Sequence, residues 1–335
     1  MRYNLNINGQ TITAPSGETL VDAALMGKIL IPHDCSTGQC ETCRVRVAWG
    51  SVDDHGTAYG DTVLACQARV HGDATLTFET APAIATVRGV IETLTPLSAS
   101  VVEVTVRTKN QLAHRPGQYA KLAFDGYPAR EYSFTAKMNG NTPADQLIFQ
   151  IKRLKNGLVS SALGHSIKVG HKAKVTGPYG SAFLQTQETG PLVLTASGTG
   201  FAPIWSLARA ATLANDNRPL TIITGVNNPK EIYMLEAFRW LHEHGQKNIH
   251  VVAREGARDT ILSGTADHYL PTLTAQTSVH VAGNPDLVER VKQRALMAQA
   301  RCHADPFTPS QISMSWHQKI RPISQLSSFF TSTFS

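Results

Sequence analysis

The chain has 335 residues, 42% of them hydrophobic and 17% charged, with a formal net charge of +6. That length suits two or three domains, and that composition excludes a disordered chain. Five cysteines are too few for a disulfide scaffold, and no apolar run reaches the roughly 18–20 residues of a membrane span. Met1 to Gly9 has no signal-peptide core, so the expected setting is cytoplasmic with no membrane partner. Charge is unevenly divided, −4 over residues 1–82 and +10 beyond them. The basic residues are dispersed rather than clustered, which argues against a nucleic-acid partner. An acidic front and a basic rear instead predict separate domains.

Tyr3, Leu5 and Ile7 alternate with Asn4 and Asn6, which predicts a strand over residues 3–7. Asn8-Gly9 predicts a two-residue hairpin turn, and Thr11 to Thr13 the returning strand. Glu18 to Ile29 predicts a short helix with Leu20, Ala23, Ala24 and Leu25 inward. Strands over 44–49 and 75–78 complete a small sheet holding one helix, and 80–86 reads as a linker. Six further strands follow, at 88–95, 100–108, 117–124, 130–136, 147–153 and 172–177. The intervals between them leave no room for long helices, so an antiparallel barrel is expected.

After Gly190 the texture changes. Strands at 191–195, 219–224, 248–253 and 278–281 alternate with helices at 201–215, 230–245 and 285–299, the signature of a parallel sheet covered by helices. From Thr308 the chain is rich in Ser and Thr without a clear period, so a disordered or weakly docked tail is expected. The expected boundaries are 1–82, 86–187 and 190–307, with the tail at 308–335.

Cys35, Cys40 and Cys43 have the spacing C-x4-C-x2-C, and Cys66 follows farther on. Four thiolates can hold two sulfide-bridged irons, two cysteines to each iron, and this spacing is the plant-type iron–sulfur signature. Ser36, Thr37, Gly38 and Thr42 are small or turn-prone, as a loop wrapped over a cluster requires. Structural zinc prefers two short Cys pairs, and only one is present; a disulfide is disfavoured in a reducing compartment. Cys302 stands alone, as a small buried residue does. His242 and His244 are two apart on a predicted helix, so they face different ways and do not form a metal site.

Residues 1–80 resemble a plant-type [2Fe–2S] ferredoxin domain, a β-grasp α+β fold, through Cys35-Ser-Thr-Gly-Gln-Cys40-Glu-Thr-Cys43. Glu41 stands where that family usually has Gly.

Arg130-Glu131-Tyr132-Ser133 places a cation, a flat ring and a hydroxyl close together on one predicted strand. A flavin needs a cation for its phosphates, a ring to cover the isoalloxazine and a hydroxyl near N5; ordinary surface packing is the bland alternative. Gly157-Leu158-Val159-Ser160-Ser161, preceded by Lys152, predicts a Gly turn opening a short helix whose N–H groups suit a pyrophosphate. Gly177-Pro178-Tyr179-Gly180 predicts a tight turn at a strand end. In this order and spacing the three resemble the FAD domain of the ferredoxin–NADP⁺ reductase superfamily. That resemblance implies that Arg130 binds the pyrophosphate, that Tyr132 stacks on the flavin and that Ser133 faces N5.

Leu192 to Pro203 reads as strand, Gly-rich turn and helix, with Gly198 and Gly200 letting backbone approach a phosphate. After the flavin motifs, Ser197-Gly198-Thr199-Gly200 resembles the superfamily's G-G-T-G-x-A-P loop, with Ser197 in place of the first Gly. The same resemblance sets Asn227 in the adenosine turn and Tyr233 against the adenine. Asn227 and Asn228 occupy that turn with Lys230 as the nearby cation, which favours NADH over NADPH. Val281-Ala282-Gly283-Asn284-Pro285 resembles C-G-x-P with Ala282 in place of Cys, and Asp305-Pro306-Phe307 resembles the D/E-x-F end, whose aromatic lies near the flavin.

The resemblance covers residues 1–307 in the order ferredoxin, FAD domain, NAD domain. It implies the reductase component of a bacterial ring-hydroxylating oxygenase system, with Ser133 and Tyr132 at the reacting flavin. NADH, FAD and a [2Fe–2S] cluster are the implied cofactors. An oxygenase component or a separate ferredoxin is the implied acceptor, and a monomer the expected state. Phthalate-type reductases put the ferredoxin last, so domain order argues against them. A reductase for a di-iron monooxygenase or a deoxysugar dehydrase shares the same modules, and a redox-sensing module without NADH oxidation is the non-enzymatic alternative.

Overall fold

The structure is a computed structural model. It describes residues 1–308 apart from 34, 35, 39–41, 81, 186, 187, 215–217 and 259. Three sheets follow one another along the chain. The first holds β1 (Arg2–Ile7), β2 (Gln10–Pro15), β3 (Arg44–Asp53), β4 (Thr62–Leu64) and β5 (Arg69–Thr77) in the order β2-β1-β5-β3-β4. Asn8 and Gly9 take φ of 48° and 87°, the left-handed pair that a tight hairpin needs. Helix α1 (Leu20–Met26) crosses this sheet, capped by the Thr19 hydroxyl, which accepts the Asp22 N–H at 3.1 Å. It is shorter than the predicted 18–29 because Gly27 closes it and Lys28 turns left-handed at φ 61°. Leu20, Ala23 and Ala24 are buried as expected, whereas Leu25 is exposed.

The second sheet holds β6 (Ala85–Pro96), β7 (Val101–Thr108), β8 (Tyr119–Phe124), β9 (Arg130–Ser133), β10 (Gln146–Lys152) and β11 (Lys172–Tyr179), in the order β10-β7-β6-β11-β8-β9 and antiparallel throughout. A bridge between Thr135 and Ile148 brings its two edges together, so it is an almost closed barrel. Val102, Val104, Leu122, Phe124 and Phe149 fill it. The predicted turn at Gly177–Gly180 is instead strand as far as Tyr179, with a shift of register between Thr176 and Tyr179. The helix predicted after Gly157 is a run of turns, because the Ser160 hydroxyl accepts the Leu154 N–H at 3.1 Å and folds the chain back.

The third sheet is wholly parallel. Its elements are β12 (Leu192–Ser197), α2 (Phe201–Leu213), β13 (Leu220–Val226), α3 (Leu235–Glu243), β14 (Ile249–Ala253), β15 (Leu262–Ser263), β16 (Ser278–Gly283), α4 (Pro285–Met297) and β17 (Arg301–Pro306). The strand order is β15-β14-β13-β12-β16-β17, so the winding reverses between β12 and β16. The helix predicted over 230–245 begins only at Leu235. Ile232 is extended, which sends Tyr233 and Met234 into the core.

The second and third sheets share one apolar core. Val101, Ala136 and Met138 pack with Trp205, Met234 and their neighbours, and Trp205 Nε1 donates to the Ala136 carbonyl at 3.1 Å. The first domain has its own core within residues 5–76. It meets the others through Arg115 Nη1 to Glu79 Oε2 at 2.5 Å and through Tyr59, whose hydroxyl donates to the Lys292 carbonyl at 3.1 Å while its ring packs on the third domain's apolar cluster. Among the described residues, no helix is long and apolar enough to cross a membrane. The tail expectation falls on residues 309–335, which lie outside the described residues.

Candidate cofactor sites

Cys43 and Cys66 come together although 23 residues separate them. Cys43 is buried, and the Cys66 N–H points at its sulfur at 3.5 Å. An N–H directed at sulfur stabilises a thiolate, so this pair fits an iron–sulfur centre. Cys35 and Cys40 lie outside the described residues, as does Glu41. Gly38 follows a left-handed φ of 80° with its backbone against Gln67, and Gln67 Nε2 donates to the Ser36 carbonyl at 2.8 Å.

Strand β9 sets Arg130, Tyr132 and Ser133 beside β8, with Ala120 opposite Tyr132 and Tyr119 opposite Ser133. Arg130 borders a cleft of about 430 Å³ together with Lys121, Ala129, Glu131 and Thr308. That size and two cations suit the phosphates of a dinucleotide. Lys121 was not singled out from the sequence; its position in β8, opposite Glu131, is what places it there. Tyr132 is partly buried against the barrel core, and burial pushes its phenol up to about 12, so it is neutral. Ser133 is buried, and its hydroxyl donates to Asp305 Oδ2 at 3.4 Å. Lys152 is exposed at the end of β10. At Gly157 a Cβ would stand 2.3 Å from Ser160 Oγ, so a side chain there would displace the Ser160 hydroxyl from the Leu154 N–H. At Gly177 it would stand 3.2 Å from the Tyr119 carbonyl.

Ser197 ends β12 and Gly283 ends β16, the two strands between which the winding reverses. Ligands of open parallel sheets lie outside the strand ends at such a point. Gly198, Thr199 and Gly200 make a single tight turn into α2. The space above Gly198 is open, whereas a Cβ at Gly200 would strike the Ala282 carbonyl at 2.2 Å and one at Gly283 the Ser197 carbonyl at 2.4 Å. The loop is therefore close-packed beneath and open on top, which fits a phosphate cradle. The Ser197 hydroxyl accepts the Asn284 N–H at 2.9 Å, tying the two strand ends together. Asn227 lies in the turn after β13, and its side-chain amide donates to Glu231 at 3.4 Å. Phe307 leaves β17 with its N–H bonded to the Gly283 carbonyl at 2.7 Å.

Tyr233 differs from expectation. It is 7% exposed, and its hydroxyl donates to Gln150 Oε1 at 3.0 Å and to the Gly198 carbonyl at 3.4 Å. Burial pushes its phenol far up. It braces the Gly loop from behind rather than presenting a face to an adenine.

Two buried acid groups escaped the sequence reading. Glu103 lies on the outer face of β7, under the third domain; burial raises its carboxyl to about 7 against the pull of Lys137. Glu188 precedes β12 and meets His303 Nε2 at 3.0 Å, while His303 stacks on His280 at 4.5 Å between centroids. Burial raises the Glu188 carboxyl, but the His303 ring bonded to it outweighs burial and holds it down to about 2. His280 is held well below its usual value, first by burial and then by His303. Neither group has a motif; each is defined by a partner far along the chain. His244, by contrast, stacks on Trp240 at 3.8 Å.

A Gly-rich loop at the switch point of a parallel sheet, a cationic cleft on a barrel strand and a domain that pairs two cysteines suit an electron-transfer oxidoreductase. Three domain families match the chain in that arrangement. The 2Fe-2S iron-sulfur cluster binding domain matches residues 4–71, the oxidoreductase FAD-binding domain 90–183 and the oxidoreductase NAD-binding domain 194–293. The chain thus joins these three domains in one polypeptide and is a nicotinamide-dependent oxidoreductase with [2Fe–2S] and FAD as cofactors.

Among its relatives is the ferredoxin–NAD(P)⁺ reductase component of the naphthalene 1,2-dioxygenase/salicylate 5-hydroxylase systems of Ralstonia sp. The two are 29% identical over 92% of this chain and 98% of the relative. The reductase component of the naphthalene 1,2-dioxygenase system of Pseudomonas putida is 28% identical, over 93% of this chain and all of the relative. The crystal structure of the Amycolatopsis cytochrome P450 reductase GcoB is similar with a TM-score of 0.66 and 26% identity, over 92% of this chain and 99% of that one.

Proposed function

We propose that this chain is the reductase component of an aromatic-ring hydroxylating oxygenase system, taking hydride from NADH and delivering single electrons to an oxygenase component or a separate ferredoxin. The observation that carries the reading is the convergence of three sites. The Ser133–Asp305 bond joins the flavin strand to the nicotinamide-domain strand β17, and the Gly180 N–H bonds to Thr42, beside Cys43, at 3.3 Å. Relatives named as parts of naphthalene dioxygenase systems support the choice of partner. When bound, FAD accepts electrons in pairs and releases them singly, which matches a two-electron donor to a one-electron cluster.

The chain's own residues bind and orient. Arg130 and Lys121 would hold the flavin pyrophosphate, with Lys152, Gly157, Ser160 and Gly177 as the further flavin-binding residues. Tyr132 would cover the flavin ring as a neutral phenol, and Ser133 would hold a proton beside it. Ser197, Gly198, Thr199, Gly200 and Gly283 cradle the nicotinamide nucleotide, Tyr233 braces that cradle, and Phe307 closes the flavin side. Cys35, Cys40, Cys43 and Cys66 are the cluster ligands. Glu231 beside Asn227 places negative charge where NADPH carries its extra phosphate, which favours NADH.

The proposed domains are 1–82, 86–187 and 190–307, in a cytoplasmic monomer. The −4 charge of the first 82 residues selects a partner with a basic docking patch and makes their association weaken with salt. The experiment is an anaerobic NADH titration followed by absorbance and low-temperature electron paramagnetic resonance. Flavin bleaching with a rhombic [2Fe–2S] signal is expected. Bleaching without that signal overturns the cluster assignment, and no bleaching overturns the enzyme.

A further inference from the structure

The first domain and the flavin barrel meet through one buried run of bonds. Thr42 precedes Cys43 and is 7% exposed. Its hydroxyl accepts the Gly180 N–H at 3.3 Å. The Gly180 carbonyl accepts from Gln118 Nε2 at 3.1 Å. The Gln118 backbone carbonyl accepts the Phe134 N–H at 2.9 Å, one residue beyond Ser133 on the flavin strand.

Gln118 is 1% exposed, and its amide has no slack. Its Oε1 accepts the Arg115 N–H at 2.8 Å while its Nε2 is held by Gly180. A buried amide so satisfied holds a single orientation. Gly180 takes φ 91°, and a Cβ there would lie 3.1 Å from the Tyr119 ring, so its bare backbone alone faces Thr42. Arg115 belongs to the same turn and pairs with Glu79 of the first domain. Its guanidinium also lies over Phe183, 4.6 Å from the ring centre. The segment from Arg115 to Gln118 therefore reaches the first domain twice, through an ion pair at the rim and through Gly180 at the centre.

We propose that Gln118 and Thr42 are positioning residues for the flavin-to-cluster electron step. Acting through Gly180, they fix the cluster loop against the flavin strand and complete a bonded path from Ser133 and Phe134 to Thr42 and Cys43. The proposal rests on the cluster assignment made above. In each transfer one electron leaves the flavin that NADH has reduced and one oxidised cluster gains it. No covalent bond of the chain forms or breaks, and protons released at the flavin pass to solvent.

The test uses full-length protein carrying both cofactors, with the variants Thr42→Val, Thr42→Ser and Gln118→Leu. Rapid mixing with NADH without oxygen follows flavin bleaching and cluster reduction separately, and hydrogen exchange is read at the Gly180 amide. Flavin bleaching keeps the parent rate in all three. Cluster reduction slows roughly tenfold or more in Thr42→Val and Gln118→Leu, since ångström-scale misplacement of reacting groups costs up to about 100-fold. Thr42→Ser, which keeps the acceptor oxygen, stays near the parent rate, and exchange at Gly180 speeds up in Thr42→Val alone of the two Thr42 variants.

Parent-like cluster reduction in Thr42→Val overturns the proposal, and so does a Thr42→Ser variant as slow as Thr42→Val. Should Gln118→Leu fail to fold, the two Thr42 variants, one isosteric and one keeping the hydroxyl, decide the matter. If the parent protein bleaches its flavin without reducing a cluster, the functional reading fails instead, and that is visible before any variant is made.

Discussion

The Ser133 hydroxyl donates to the Asp305 carboxylate across 172 residues of sequence. One residue ends a barrel strand and the other sits near the end of the last strand of the parallel sheet. At the proposed flavin site, a hydroxyl bonded to a carboxylate is a two-group proton holder. Ser133→Ala is expected to slow flavin bleaching by NADH about 100-fold, the lower range for loss of a proton-transfer group. Asp305→Asn, which keeps the shape and loses the charge, slows it less. Stopped-flow absorbance at the flavin band measures both.

Cys43→Ala is expected to abolish the cluster while leaving NADH-dependent reduction of a small artificial acceptor intact, because that route ends at the flavin. Iron content and acceptor kinetics on the same preparation check it. Loss of both activities would mean that the docked first domain supports the flavin site structurally.

Glu103 makes stability depend on pH in a defined direction. In the folded chain its carboxyl keeps a proton until about pH 7, whereas an ordinary glutamate releases it near 4.5. The unfolded chain is therefore favoured progressively as pH rises through that window, and the loss is complete above it. Glu103→Gln removes the dependence. It is expected to raise stability at about pH 8, by at most about 3 kcal/mol, and to change little at about pH 4. Denaturant melts at the two pH values test this.

Asn227→Arg is expected to raise kcat/KM for NADPH by about tenfold, as one charged pair to phosphate supplies. Glu231 will compete for the new guanidinium, since it already accepts from Asn227. The double variant with Glu231→Gln therefore gains more. Comparing NADPH and NADH turnover in the two variants separates the effects.

Features set by local chemistry were legible in the sequence. Asn8-Gly9 reads as a turn because few residues tolerate that backbone, and the cysteine spacing reads as a cluster because sulfur geometry leaves little choice. Strands β4 and β15, of three and two residues, carry no period to detect. The apolar pattern over 230–245 overstates the helix because its first turn is apolar for another reason: Tyr233 and Met234 are core residues. The two-faced burial of β7 was also hidden. Alternation in Val102, Val104 and Val106 points to one wet face, yet Val101, Glu103 and Thr105 are buried too, Val101 in the core shared with the third domain. The roles of Gln118, Glu188 and His303 arise from partners more than sixty residues away, and no local pattern encodes such meetings.

The distribution of apolar packing among the three sheets sets the units in which the protein melts and in which it can be rearranged. Val101, Ala136 and Met138 belong to the same core as Trp205 and Leu241, so the barrel and the parallel sheet must lose their packing together. The first domain contributes nothing to that core and encloses its own. Calorimetry should therefore resolve two transitions rather than three. By the same logic the front module can be cut away, exchanged or moved to the other end of a chain while uncovering only the apolar patch under Tyr59, whereas separating the two rear modules would open a core.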